Sequence, residues 1–280
     1  MANAVGSLET AAARQSMGQR AVEALRGHPV VAFFIISYAL MYASYFTYIA
    51  NQEFPLAPFW FIGVFSPTIA ALFLSAILGG RAEVRRLLAG FTRWRIGRIW
   101  YVVALSTVLI PLVLGIGYVA LGNEFVGPAA GITGPFLLGE LFFIFLSGPL
   151  SEEAGWRGFA LPRLQERHSA LTAAIVIGVV WTFWHVPVYF MPGHTIIPLP
   201  MFLPVTIGLS ILFTWVYNNT GGSLLATVLM HFSFNFSGAF LAGHLGLMPP
   251  MLLYIGGGSA IGLLTVVVVV VFGWRRLSRA

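Results

Sequence analysis

The chain has 280 residues, 58% of them hydrophobic and only 9% charged, with a formal net charge of +6. That is too little polar surface for a soluble globule of this length, and the mean hydropathy of +0.88 agrees. Every basic residue is Arg and every acidic residue is Glu, with no Lys, Asp or Cys, which excludes thiol nucleophiles, disulfides and thiolate metal sites, Schiff bases and Ser-Lys dyads, and aspartyl dyads.

The composition predicts an all-α polytopic membrane protein whose chemistry is limited to Glu, His, Ser, Tyr, Asn and Arg. Residues 1–28 are polar and carry Arg14, Arg20 and Arg26; with no small-residue cleavage site after the first apolar run, they read as a cytoplasmic leader rather than a cleaved signal. Apolar runs near the roughly 20 residues needed to cross a bilayer follow at 30–50, 58–79, 99–121, 135–152, 169–191, 201–217, 224–245 and 250–273. They predict eight transmembrane helices in one integral domain, 29–274, followed by a short tail, 275–280. An even number of spans puts both termini on one side.

The arginines test that count, because cytoplasmic loops collect them. Six fall in the 80–98 connection, which reads as a basic amphipathic segment on anionic headgroups or as a solvated orientation marker. Arg157, Arg163 and Arg167 lie between the fourth and fifth runs, and Arg275, Arg276 and Arg279 lie in the tail. The alternate loops, 51–57, 122–134, 192–200 and 246–249, contain none. Both termini are therefore expected in the cytoplasm, and the high pI reflects topology rather than a nucleic-acid partner. Trp60, Trp100, Tyr101 and Trp274 sit near run ends as interfacial anchors.

Three clusters of polar residues interrupt the apolar runs, where an ionisable group costs several kcal/mol without a partner. The first is Glu152-Glu153-Ala154-Gly155-Trp156-Arg157. Glu153 and Arg157 have the favourable order for an ion pair one helical turn apart, which leaves Glu152, rotated by about 100 degrees, as the expected base. Gly148, Pro149, Gly155 and Gly158 read as close-packing or kink positions.

The second cluster places His185 after the aromatic run Trp181-Thr182-Phe183-Trp184. The most polar place for the turn between the fourth and fifth runs is Arg167-His168-Ser169, midway between Glu152 and His185. Residues equidistant from a turn lie at equal depth, each about 25 Å from the tip, so the two are expected side by side. The third cluster is His231-Phe232-Ser233-Phe234-Asn235, which follows the turn Asn218-Asn219-Thr220-Gly221-Gly222-Ser223. His231 and Asn235 share a helix face, about 12 Å inside that turn, at a depth that matches the other two if the longer hairpin protrudes.

Two chemistries are open to such a cluster. Without metal, Glu152 and His185 would activate a water while His231 and Asn235 donate to an oxyanion. With zinc, Glu152, His185 and His231 would be ligands around an open position and Glu153 the base. Neither a His-Glu-x-x-His nor a Gly-x-Ser-x-Gly motif occurs. Glu140 is expected to be neutral or hydrogen-bonded between helices, and His194 and His244 to be solvated near the outer face.

These residues, in this order, resemble the CPBP family: CAAX prenyl proteases and bacteriocin-processing (Abi) enzymes marked by Glu-Glu-x-x-x-Arg, Phe-x-x-x-His and His-x-x-x-Asn/Asp motifs on successive membrane helices. The resemblance covers about 135–240, with Trp181 where the family usually has Phe, a change read as conservative. It implies an eight-helix intramembrane endopeptidase, described for the family both as a metalloprotease and as a glutamic protease, in which Glu152 and His185 activate water. The expected substrate is a membrane-associated peptide or protein. The all-Arg, Ala- and Gly-rich composition points to a bacterial inner membrane, and to peptide maturation or immunity rather than a prenylated substrate. A proton-coupled transporter relaying through Glu140, Glu152 and Glu153 is the rival reading, and a silent scaffold is a third.

Overall fold

The computed structural model describes residues 19–20, 22–124, 126–128, 133–192 and 197–279. Arg14, most of the expected leader, and His194 lie outside the described residues. Eight helices are long and apolar enough to cross a membrane: α1 Pro29–Ala50, α2 Ser66–Ala89, α3 Arg98–Ala120, α4 Gly134–Gln165, α5 Ala170–Phe190, α6 Leu199–Asn219, α7 Leu224–Leu241 and α8 Pro250–Phe272. Among the described residues there is no strand.

The second expected span, 58–79, is shifted. Leu56–Val64 forms a short separate helix, and α2 restarts at Ser66 with Pro67 in its first turn, where the missing amide of Pro67 costs nothing. It then runs beyond the apolar stretch to Ala89, bending at Gly80, whose φ of 60° and ψ of −152° suit a residue without a Cβ. The Arg81–Ala89 part of the basic connection thus continues a membrane helix rather than forming a separate surface helix. Similarly, α4 does not end near residue 152 but continues to Gln165, and it turns at Glu166–Ser169 as the polarity of that stretch predicts.

Serine caps fix the starts of the two helices after the polar turns. Ser169 Oγ accepts the amide of Thr172 at 3.1 Å, and Ser223 Oγ accepts that of Ala226 at 3.2 Å, each satisfying an amide with no helical partner. Gly221 and Gly222, at φ 63° and 81°, supply the reversal between α6 and α7.

The arginine-bearing connections meet at one end of the bundle. Arg163 Nη2 donates to Glu83 Oε1 at 2.6 Å, Ser223 Oγ to the carbonyl of Arg93 at 2.7 Å, and Asn218 Nδ2 to the carbonyl of Arg276 at 2.7 Å. The tail is part of this end: Ala170 donates to the carbonyl of Arg275 at 2.8 Å and Leu277 is fully buried. Around the sides the chain is apolar toward the outside, as with Val270 at 77% and Ile116 at 70% exposure, which is the pattern of a lipid-facing surface.

Between the helices, small residues set the spacing. A Cβ on Gly178 would lie 2.6 Å from Ile207 Cα, and one on Gly155 would lie 2.7 Å from the Pro67 carbonyl carbon, so α5 meets α6 and α4 meets α2 nearly backbone to backbone. Gly178→Ala is expected to lower the midpoint of thermal unfolding in detergent, at a cost of about 1–3 kcal/mol. Gly139→Ala, where a Cβ meets nothing within 4 Å, is expected to leave the midpoint unchanged or raise it.

Candidate functional site

The site is built on an irregular stretch of α4. Pro149 has no amide to give the Phe145 carbonyl, and the ladder widens into a π-helix over Leu146–Leu150, returns to α over Ser151–Glu153, and widens again over Ala154–Ala160. Such widened turns re-aim side chains and are common at functional positions. From α2, Thr68 Oγ1 donates to the Ser151 carbonyl at 2.7 Å, tying down the turn that carries the two glutamates.

Those glutamates are 2% and 0% exposed and receive opposite treatment. Glu153 Oε1 accepts from Arg157 Nη1 at 3.0 Å and from His231 Nδ1 at 2.9 Å. The Arg157 guanidinium, also fully buried, lies over the rings of Trp181 and Phe213 at 5.2 and 4.7 Å, a favourable setting for a desolvated cation. Among the described residues no cation is hydrogen-bonded to Glu152; its Oε2 accepts from two indole N–H groups, Trp156 Nε1 at 3.2 Å and Trp181 Nε1 at 2.5 Å. With Oε2 occupied as an acceptor twice over, a proton on this carboxyl belongs on Oε1.

Oε1 faces a space created by a glycine. A Cβ on Gly148 would lie 3.5 Å from Glu152 Oε1, 3.2 Å from His231 Nε2 and 2.8 Å from Asn235 Nδ2. Three of the expected site residues, from α4 and α7, therefore converge on one volume. Because the Glu153 carboxylate accepts the Nδ1 proton of His231, Nε2 of the neutral ring is an acceptor and becomes a donor only when the ring takes a second proton. Asn235 Nδ2 donates without any such transfer.

His185 comes from the end of the regular part of α5, where Pro187 lies in a 3₁₀ turn. Its Nδ1 lies 2.8 Å from the Trp181 carbonyl; a carbonyl cannot donate, so Nδ1 carries the proton and Nε2 is the acceptor nitrogen. The ring is held edge-on by Trp184 at 4.8 Å and Phe202 at 5.1 Å. The residue of α5 that touches Glu152 is Trp181, one turn earlier, whose ring centroid is 5.7 Å from that of His185 and 5.4 Å from that of His231.

Three readings of the sequence change here. Trp181 is not a conservative replacement for Phe, since its N–H makes a hydrogen bond that Phe cannot. Gly148 is more than a packing position, because its bare Cα opens the volume shared by Glu152, His231 and Asn235. Trp156, four residues after Glu152 and so on the same face, donates to the same carboxylate oxygen, a role that helical spacing allows but that nothing in an aromatic-rich sequence singles out. Glu140 Oε1 lies 3.3 Å from His244 Nε2, an ion-pair distance between two partly exposed side chains, so His244 is not merely solvated.

Among the described residues no group of three His, Cys, Asp or Glu side chains is arranged to hold a metal ion. Of the donors considered for zinc, Glu152 Oε1 and His231 Nε2 face the one volume above Gly148, while Glu153, the base in that scheme, has its Oε1 engaged by Arg157 and His231.

Comparison with known proteins agrees with the motif pattern. Residues 134–237 match the family described as Type II CAAX prenyl endopeptidase Rce1-like. The chain is also similar to CAAX prenyl protease 2 of Methanococcus maripaludis, with 31% identity over 110 residues, 36% of this chain and 41% of that protein. The chain thus spans about two fifths of the length of the curated relative it matches. The Rce1-like segment contains Glu152, Glu153, Arg157, His185, His231 and Asn235, and also Gly148, Trp156 and Trp181, bearing out the resemblance to the CPBP proteases.

Arg157→Ala would leave Glu153 buried with one partner removed, and is expected to cost about 3–5 kcal/mol of stability, read as a fall in the unfolding midpoint. The double variant Glu153→Gln with Arg157→Met removes both charges and is expected to recover part of that loss.

Proposed function

We propose that the chain is an intramembrane endopeptidase that hydrolyses a peptide bond with a water activated by Glu152 and His185. The observation that carries this reading is the convergence of Glu152 Oε1, His231 Nε2 and Asn235 Nδ2 on the space above Gly148, which puts an acid-base group opposite two groups able to bind an oxyanion. The match of residues 134–237 to a family of endopeptidases supports it.

In this mechanism a water lies between Glu152 Oε1 and His185 Nε2, and Glu152 takes its proton as the oxygen attacks the scissile carbonyl. The developing oxyanion accepts from Asn235 Nδ2, and from Nε2 of His231 where that ring enters the cycle already protonated from solvent, its proton being neither supplied nor consumed by the hydrolysis. Glu153 holds the opposite edge of that imidazole and balances its charge, as the buried acid of a catalytic triad orients its histidine. It is a positioning residue, not the base. Glu152 then returns its proton to the leaving amine. The two indole N–H groups hold Oε2 away from the reaction and keep the exchangeable proton on Oε1.

The substrate is a peptide or protein held at the membrane, and the active site opens toward the arginine-rich, cytoplasmic side of a plasma membrane. The relative's name suggests a prenylated peptide as one class to assay beside an unmodified membrane-anchored peptide.

Glu152→Gln, His185→Ala and Asn235→Ala are each expected to abolish cleavage of a susceptible peptide in detergent while the unfolding midpoint stays within a few degrees; turnover retained in Glu152→Gln refutes the assignment. Gly148→Ala is expected to do the same by filling the shared volume. Trp181→Phe removes one hydrogen bond to a carboxylate, worth about 1.5–3 kcal/mol, and is expected to lower kcat by about tenfold or more with KM little changed. An unchanged kcat would show that the Trp181 N–H plays no part in the chemistry.

A further inference from the structure

A second polar cavity, of about 210 Å³, lies at the arginine-rich end of the bundle, between α2, the end of α4 and the turn joining α6 to α7. Three guanidinium groups line it, those of Arg86, Arg93 and Arg163, against a single carboxylate, Glu83. Glu83 Oε1 takes Arg86 at 2.5 Å and Arg163 at 2.6 Å, so one negative charge is shared by two positive ones and the Arg93 charge is uncompensated by it. Arg163 Nη1 donates to the Phe159 carbonyl at 2.9 Å, and Arg93 Nη1 donates to the Gly221 carbonyl. These contacts use one or two of the five N–H groups on each guanidinium and fix where the remainder point.

The cavity has further donors. A Cβ on Gly222 would lie 3.0 Å from Arg93 Nη1 and 3.2 Å from Tyr217 Oη, so the phenol and the guanidinium flank the same space. Ser75, 1% exposed and also in the lining, has an Oγ with no hydrogen-bond partner among the described residues. A buried hydroxyl without a partner beside an excess of guanidinium charge is the donor set of an anion site. Its position at the ends of membrane helices, with exposed Leu88 (45%) and Trp94 (60%) following the lining residues Leu87 and Arg93 in the chain, suits an anion that also carries hydrocarbon. Basic pockets between membrane helices commonly take lipid phosphates.

We propose that this cavity binds the phosphate of an anionic phospholipid headgroup, with Arg86, Arg93 and Arg163 as the cationic wall. The site is separate from the Glu152 cluster, and the proposal does not depend on the peptidase reading. It assigns the basic connection a specific lipid contact rather than only a role in orientation.

The test uses the full chain, delipidated in neutral detergent and titrated with phosphatidylglycerol, phosphatidylcholine or inorganic phosphate, with lipid adducts counted by native mass spectrometry and the unfolding midpoint followed in parallel. Phosphatidylglycerol is expected to bind and raise the midpoint, with phosphatidylcholine several-fold weaker. Arg86→Gln and Arg93→Gln are each expected to weaken phosphatidylglycerol binding by about fivefold or more, whereas Arg279→Gln, the same charge change outside the cavity, leaves it unchanged. Because Arg93 also braces the Gly221 turn, Arg86→Gln, whose side chain is 68% exposed, carries the comparison if the Arg93 variant does not fold. Equal loss in all three variants, or equal binding of both lipids, overturns the proposal. Inorganic phosphate that alone reproduces the shift and displaces the lipid also overturns it, by showing a site for the free ion.

Discussion

The architecture of the site depends on a carboxylate buried away from the solvent-accessible surface. Glu153, fully buried in the middle of a membrane helix, is stabilised by two partners from different places: Arg157, one turn along its own helix, and His231, on α7. An isolated charge at that depth would cost several kcal/mol. The pairings remove most of that penalty and in doing so fix the register of α4 against α7, because His231 can reach Glu153 only from one height. The arginine is in turn covered by Trp181 and Phe213 on α5 and α6. One buried charge thus ties together four helices.

Its neighbour Glu152 shows how adjacent identical side chains acquire different roles. Both are buried, yet one oxygen of Glu153 is held by a cation and an imidazole, whereas one oxygen of Glu152 is held only by neutral indole donors. The remaining oxygen of Glu152 is left toward the space above Gly148. The π-helical turns on either side of the pair are the backbone distortion that permits this, since Pro149 prevents a regular ladder and Thr68 accepts the task of binding the Ser151 carbonyl. The geometry here is a consequence of local irregularity held in place by distant contacts.

Much of this was legible in the sequence. The apolar runs gave eight spans, and the alternation of arginine-bearing and arginine-free connections supported the count, because the cost of burying charge acts on each loop independently of tertiary structure. The Glu153–Arg157 pair and the shared face of His231 and Asn235 followed from helical spacing alone. The second span was placed too early, because hydropathy cannot see that Pro67 restarts the helix or that Glu83 pairs with Arg86 and Arg163 and so lets α2 extend past its apolar part. The roles of Gly148 and Trp181 were hidden for a similar reason. Whether a missing Cβ opens a site or closes a packing gap, and whether an indole N–H finds a carboxylate, depends on which helix lies opposite, and composition and periodicity do not specify that.

The central claim, that α4 and α7 meet at the level of Gly148 and Asn235, can be measured directly because the chain has no Cys. A double variant, Gly148→Cys with Asn235→Cys, treated with a short thiol cross-linker in membranes, is expected to link as efficiently as Thr107→Cys with Ser233→Cys, whose native hydroxyls lie 2.8 Å apart. Efficient linking of the 107–233 pair with none at 148–235 would contradict the account.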